Sequence, residues 1–191
     1  KSANKLVIEL AKRIDADLTL ATDPDADRLG VGVQNAKGEY VLLTGNQIAI
    51  FMIEYLINSL RENKKMPNNP VLISTIVSSK LPKKMAEKNG IRYIETLTGF
   101  KYMGEYINKF DEEKNPELKQ NFIFGYEESY GFLYGNNVRD KDAVTIISLF
   151  LEATAYYKKQ NLGILDQIEK IYKKYGYYLE SSRNLVLKGE V

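Results

Sequence analysis

Apolar positions come first at helical spacing. Leu6, Val7, Leu10, Ala11 and Ile14 line one face of a stretch from Ala3 to Ile14, which predicts an amphipathic helix. Leu18 to Thr22 is a short apolar run that ends at a cluster of carboxylates, and reads as a buried strand. Leu29 to Val33 and Tyr40 to Leu43 flank Asn35-Ala36-Lys37-Gly38, the pattern of a β-hairpin. Thr44 to Asn46 offers caps for a helix through Ile48, Phe51, Met52, Tyr55 and Leu56. Arg61 to Pro70 is polar, with two prolines, and is the best internal linker candidate. Strand and helix then alternate: strands at Val71 to Ile76, Ile91 to Glu95 and Phe122 to Phe124, helices at Ser79 to Lys88 and Lys101 to Phe110. Asp111 to Lys119 is a charged loop. Helices follow from about Asp142 to Lys159 and from Ile164 to Tyr175, before an extended tail from Gly176 to Val191. The alternation predicts an α/β fold of layered helices and sheets.

Composition narrows the chemistry more than the fold. The 191 residues allow one domain or two small ones. Twenty-seven basic against 25 acidic residues leave a net charge of +2, too balanced to favour nucleic acid or an anionic membrane as partner. No run approaches the about 18 apolar residues of a membrane span, and the acidic and basic residues of the first helix fit no secretory leader. A cytoplasmic location is expected. Cysteine and histidine are both absent, which removes disulfides, zinc–thiolate and zinc–imidazole sites, and histidine-based triads. Catalysis would need carboxylates, Lys, Arg, Tyr, hydroxyls or a hard metal. The chain opens at Lys1 almost within a helical pattern, so a piece of a longer protein is expected.

Four loops carry the candidate chemistry. In Asp23-Pro24-Asp25-Ala26-Asp27-Arg28 three carboxylates alternate over five residues directly after a strand. Packed together they repel, and a hard divalent cation relieves this. An EF-hand fails, because Arg28 stands where that loop needs glycine and Gln34 where it needs glutamate. Three protein oxygens leave room for water or phosphate, which suits Mg²⁺, and Arg28 offers a phosphate fork beside it. The alternative is a solvated acidic turn. Gly125-Tyr126-Glu127-Glu128-Ser129-Tyr130-Gly131 offers acceptors and a hydroxyl for sugar hydroxyls, or is a charged turn. Arg139-Asp140-Lys141-Asp142 sets cations at a helix start, for a bound anion or as a surface ion-pair cluster. Thr98-Gly99-Phe100-Lys101 is a strand-to-helix turn whose amides can hold an anion or hydroxyl, or merely cap.

Together and in this order these loops resemble one family, the α-D-phosphohexomutases, which includes phosphoglucomutase and phosphomannomutase. The resemblance spans nearly the whole chain, and the aromatic-Glu-Glu-Ser-aromatic-Gly form is most similar to the phosphoglucomutase and phosphopentomutase branch. It implies that residues 1–43 are the C-terminal part of a second domain, 44–157 a third domain, and 158–191 a linker toward a fourth. It implies Asp23, Asp25 and Asp27 as Mg²⁺ ligands and Arg28 beside a phosphoserine. Lys141 would lie near the transferred phosphoryl group, Glu127 and Ser129 on sugar hydroxyls, and Thr98 and Gly99 at a backbone contact to the sugar. The implied ligands are a hexose phosphate and a hexose bisphosphate. Pro24 and Ala26 stand where many members carry glycine, as does Ala143 after Asp142. The family's phosphoserine loop of the first domain and its phosphate-binding loop of the fourth have no counterpart in this sequence, so the chain alone is expected to be inactive. Rival readings are phosphomannomutase or phosphopentomutase activity, a non-catalytic Mg²⁺- or Ca²⁺-binding module, and a structural or interaction domain.

Overall fold

The computed structural model describes residues 5–181 and builds them as two sheets bridged by helices. The first sheet is antiparallel, β1 (Leu18–Thr22), β2 (Leu29–Gln34) and β3 (Tyr40–Leu42), preceded by α1 (Lys5–Ile14). Residues 3 and 4 of the expected first helix lie outside the described residues. β1 is not the buried strand its apolar run suggests. Among the described residues it pairs only with β2, and Thr19 is its one buried residue. An edge strand has a neighbour on one side alone, so Leu18 and Leu20 are only partly covered.

The second sheet has the order β5-β4-β6-β7, from β4 (Pro70–Thr75), β5 (Arg92–Thr96), β6 (Asn121–Glu127) and β7 (Gly131–Tyr134). β4 runs parallel to β5 and β6, and β7 closes the sheet antiparallel to β6. α4 (Phe100–Glu112) covers one face, where Val71, Ile73, Ile94, Met103, Ile107 and Leu133 form a separate small core. The other face carries α2 (Gly45–Glu62), α3 (Leu81–Lys88), α5 (Ala143–Lys158) and α6 (Ile164–Tyr175). This is the layered α/β arrangement expected.

α2 organises that larger core. Thr44 and Gln47 form a reciprocal capping box, with Gln47 N–H to Thr44 Oγ1 at 3.2 Å and Thr44 N–H to Gln47 Oε1 at 2.9 Å. Every position from Ile48 to Ile57 is buried. Phe51 has no exposed surface and packs 5.1 Å from the ring of Phe150 and 5.4 Å from Tyr157. Burying such a side chain is worth about 1.5–3 kcal/mol. Leu29, Val31 and Val33 of β2 join the same core, so both sheets share it.

Three further expectations change. Arg61 to Pro70 is no interdomain linker: it carries the end of α2 into β4 within one layered unit. Residues from 158 onward do not simply lead away, because Ile164, Ile168, Ile171 and Tyr175 of α6 are buried in the main core. β6 is seven residues rather than three, and β7 follows it. Glycine at 125 belongs there because an added Cβ would sit 3.1 Å from Phe122 and 3.2 Å from the Met103 sulfur.

Candidate functional site

The metal-type loop leaves the end of β1 and turns back at once. Ala26 N–H donates to Asp23 O at 3.0 Å, and Ala26 holds φ at +55°, a left-handed conformation. Asp23 Oδ1 accepts from the N–H groups of Asp27 (3.1 Å) and Arg28 (3.0 Å). Desolvation pushes the Asp23 carboxyl up. The Arg28 N–H bond, with those from Asp27, outweighs it and holds the pKa below the ordinary value. Asp23, Asp25 and Asp27 each present an oxygen within 4.8 Å of the others. Asp27 Oδ1 is buried and has no hydrogen-bond partner among the described residues. Arg28 Nε lies 3.7 Å from both Asp23 Oδ2 and Asp27 Oδ1, while its side chain stays largely exposed.

Backbone bonds fasten this loop to the other motifs. Ala143 N–H, at the first turn of α5, donates to Ala26 O at 3.0 Å. Leu29 N–H donates to Tyr130 O at 3.0 Å, and Arg28 and Gly131 form an antiparallel bridge. The Glu-Glu-Ser segment is therefore the tip of the β6–β7 hairpin and lies beside the carboxylate loop.

Strand alternation sends its two glutamates apart. Glu127, the last residue of β6, is buried and accepts from Gly99 N–H at 2.8 Å. Glu128 turns to the end of β4, where Thr75 Oγ1 (3.2 Å) and Ser78 Oγ (3.3 Å) donate to it. Ser129 and Thr98 are exposed. Gly99 caps α4 with φ at +119°, and its carbonyl accepts from Tyr102 N–H at 3.1 Å. The Gly99 amide, expected to face a ligand, is engaged by Glu127 instead.

Lys141 joins the loops. Its Nζ lies 3.2 Å from Asp27 Oδ2, 3.0 Å from Asp140 Oδ1 and 5.3 Å from the centre of the Phe100 ring. Burial pulls its pKa down, but Asp140 and then Asp27 outweigh this and raise it above the ordinary value. Arg139 does not share the site. It reaches back to Asn108 Oδ1 (2.7 Å) and Asp111 Oδ2 (2.5 Å) on α4. A cavity of about 540 Å³ opens at the opposite end of β2 and α5, beside Asn35, Lys158 and Asp166, well away from this chemistry.

The fold brings together the loops that carry Asp23, Asp25, Asp27, Arg28, Thr98, Gly99, Glu127, Ser129 and Lys141, the residues expected from the sequence. Thr75 and Ser78 lie outside the expected motifs, and the separate direction of Glu128 and the place of Phe100 beside Lys141 were not expected. The doubled glutamate at a strand end was a usable signal for Glu128, since neighbours on a strand face opposite ways. Thr75 and Ser78 had none.

Three carboxylates after an edge strand, a lysine against them and a glutamate hairpin beside them converge at one rim of an α/β/α layer. The family model for phosphoglucomutase/phosphomannomutase, alpha/beta/alpha domain III, matches residues 44–175, and the chain belongs to that family. A phosphoglucomutase of Staphylococcus epidermidis is 42% identical over 171 residues, covering 90% of this chain and 30% of that protein. The chain thus spans about a third of the length of such relatives. Among solved structures, the phosphoglucomutase pp63/parafusin of Paramecium superposes with a TM-score of 0.62 at 21% identity, over 92% of this chain and 28% of that one. Aspergillus fumigatus N-acetylphosphoglucosamine mutase, solved with GlcNAc-6P and magnesium, gives 0.55 at 15%, over 83% and 35%.

Proposed function

We propose that this chain is the metal-loop and sugar-loop portion of a phosphoglucomutase-type enzyme, which interconverts a hexose 1-phosphate and a hexose 6-phosphate through an enzyme phosphoserine and a hexose bisphosphate. The supporting observation is the convergence of the Asp23–Arg28 loop, Lys141 and the Glu127 hairpin. The donor set fits Mg²⁺: three carboxylate oxygens lie within 4.8 Å of one another, and one buried oxygen of Asp27 lacks a partner. Asp23, Asp25 and Asp27 would hold the ion, which when bound supplies positive charge against a transferring phosphoryl group. Arg28 and Lys141 add cationic charge at the same rim. Glu127 and Ser129, next to Thr98 and Gly99, orient the sugar hydroxyls. The phosphoryl carrier and the clamp for the substrate's own phosphate belong to domains 1 and 4 of the complete protein, its natural partners, so this chain alone does not turn over.

Two measurements test the reading. Mg²⁺ raises the melting temperature of this chain, and Asp25→Asn abolishes that rise. An unchanged response in the variant removes the metal assignment. In the complete enzyme, Glu127→Ala lowers kcat/KM for glucose 1-phosphate by the equivalent of roughly 1–3 kcal/mol with an unaltered circular dichroism spectrum. Unchanged kinetics would return the hairpin to a charged turn.

A further inference from the structure

The lysine that reaches the carboxylate loop gets there by crossing a glycine. A Cβ built on Gly131 would lie 2.3 Å from Lys141 Cδ, 3.0 Å from Cγ and 3.6 Å from Cε, and these are its three nearest neighbours. Gly131 is buried at the start of β7, bridged to Arg28 and paired with Glu127. Its backbone lies outside the left-handed region, so alanine meets no conformational penalty there. The obstacle is the lysine stem alone. We propose that Gly131 is a positioning residue: its missing side chain is the channel through which Lys141 passes from the loop before α5 to Asp27 and the Phe100 ring.

Contrast Gly45, where an added Cβ would meet the Glu128 carbonyl oxygen at 2.2 Å, a backbone atom with no freedom to yield. At Gly131 the group in the way is a flexible side chain. Alanine therefore leaves the fold standing and turns the ammonium out of the loop. Asp27 Oδ2 loses the cation 3.2 Å away, and the loop carries one more uncompensated negative charge. A divalent cation then binds more tightly, the reverse of what general damage to the site would do.

The test is a double-mutant cycle on this chain, read by urea unfolding without metal and by the Mg²⁺ concentration that half-saturates the thermal shift. Gly131→Ala destabilises the otherwise wild-type chain but has no further effect in a Lys141→Ala background, where the stem is gone. In the wild-type background it lowers the half-saturating Mg²⁺ about three- to tenfold, as Lys141→Ala does. An equal cost in both backgrounds, loss of folding in both, no effect in either, or weaker Mg²⁺ binding overturns the proposal. The Mg²⁺ arm rests on the metal site proposed above and the metal-free cycle does not. If Mg²⁺ leaves even the wild-type chain unaffected, that metal reading fails while the cycle still decides the role of Gly131.

Discussion

The two acidic turns of the site are satisfied in different ways. In the β6–β7 hairpin each glutamate meets neutral donors supplied by the fold, Gly99 N–H for Glu127 and two hydroxyls for Glu128. In the Asp23–Arg28 turn only Asp23 is met by backbone N–H groups. Asp25 is exposed, one Asp27 oxygen is buried without a partner, and three negative charges crowd one place. A buried acceptor without a donor costs about 1–3 kcal/mol. The hairpin is thus finished by folding, whereas in the proposed reading the aspartate turn is left for a cation to finish. Changes that crowd the hairpin backbone should register as lost stability, and changes that reach the aspartate turn, including Gly131→Ala acting through Lys141, as altered response to metal.

The largest effect expected comes from the back of the hairpin. Gly45 begins α2 against the Glu128 carbonyl, and neither backbone can retreat. Gly45→Ala should cost about 1–3 kcal/mol by overpacking, measured by urea unfolding, and should leave the Mg²⁺ midpoint unchanged. A shifted Mg²⁺ midpoint with intact stability would erase the division between the two turns.

Asp142 is expected to have a smaller effect, because it serves both. It caps α5 by accepting from Val144 N–H (3.0 Å) and Thr145 N–H (3.1 Å), with a further bond from the Thr145 hydroxyl. The next residue, Ala143, holds Ala26 of the aspartate turn. Asp142→Ala should cost about 1 kcal/mol at neutral pH. Desolvation pushes the Asp142 carboxyl up, but the Thr145 hydroxyl and the two N–H bonds outweigh it, so its folded pKa lies below the ordinary value. Stability from the charged cap is therefore present above the unfolded pKa and lost as pH falls through the folded one. Asp142→Asn keeps a capping oxygen without the charge. Its deficit against wild type should shrink as pH drops from about 5 toward 2. A deficit that grows on acidification would contradict the cap geometry.

This division between the turns was only partly legible in the sequence. α6 could be read residue for residue from Ile164 to Tyr175, since Gly163 and Gly176 bound a strong helical period. The clustering of the aspartates was legible because three carboxylates alternating directly after an apolar run share one short loop. β7 was not, because its four residues, Gly131 to Tyr134, are too short a run to mark a hairpin whose tip is held by Leu29, about a hundred positions earlier in the chain. The direction of Arg139, the engagement of the Gly99 amide and the channel at Gly131 all depend on which backbone passes where. Residue type and spacing carry none of that.

The smallest expected effect sharpens the contrast most. Ala26 sits left-handed at the centre of the aspartate turn, fixed by its N–H on Asp23 O and its carbonyl on Ala143 N–H. For a residue with a Cβ that conformation costs roughly 1–2 kcal/mol. Glycine would remove the strain but add about 0.4–1 kcal/mol of disorder to the unfolded chain. Ala26→Gly should therefore raise stability without metal by about 0–1.6 kcal/mol. The same change loosens a turn that alanine holds in one shape, so the three carboxylates must be ordered when the cation binds. The Mg²⁺-dependent rise in melting temperature should then need more metal in the variant than in wild type. Paired melts across a Mg²⁺ series separate the two effects. Tighter binding in Ala26→Gly would mean that the alanine strains the ligand set away from its metal-bound shape, and the preorganised turn argued here would be wrong.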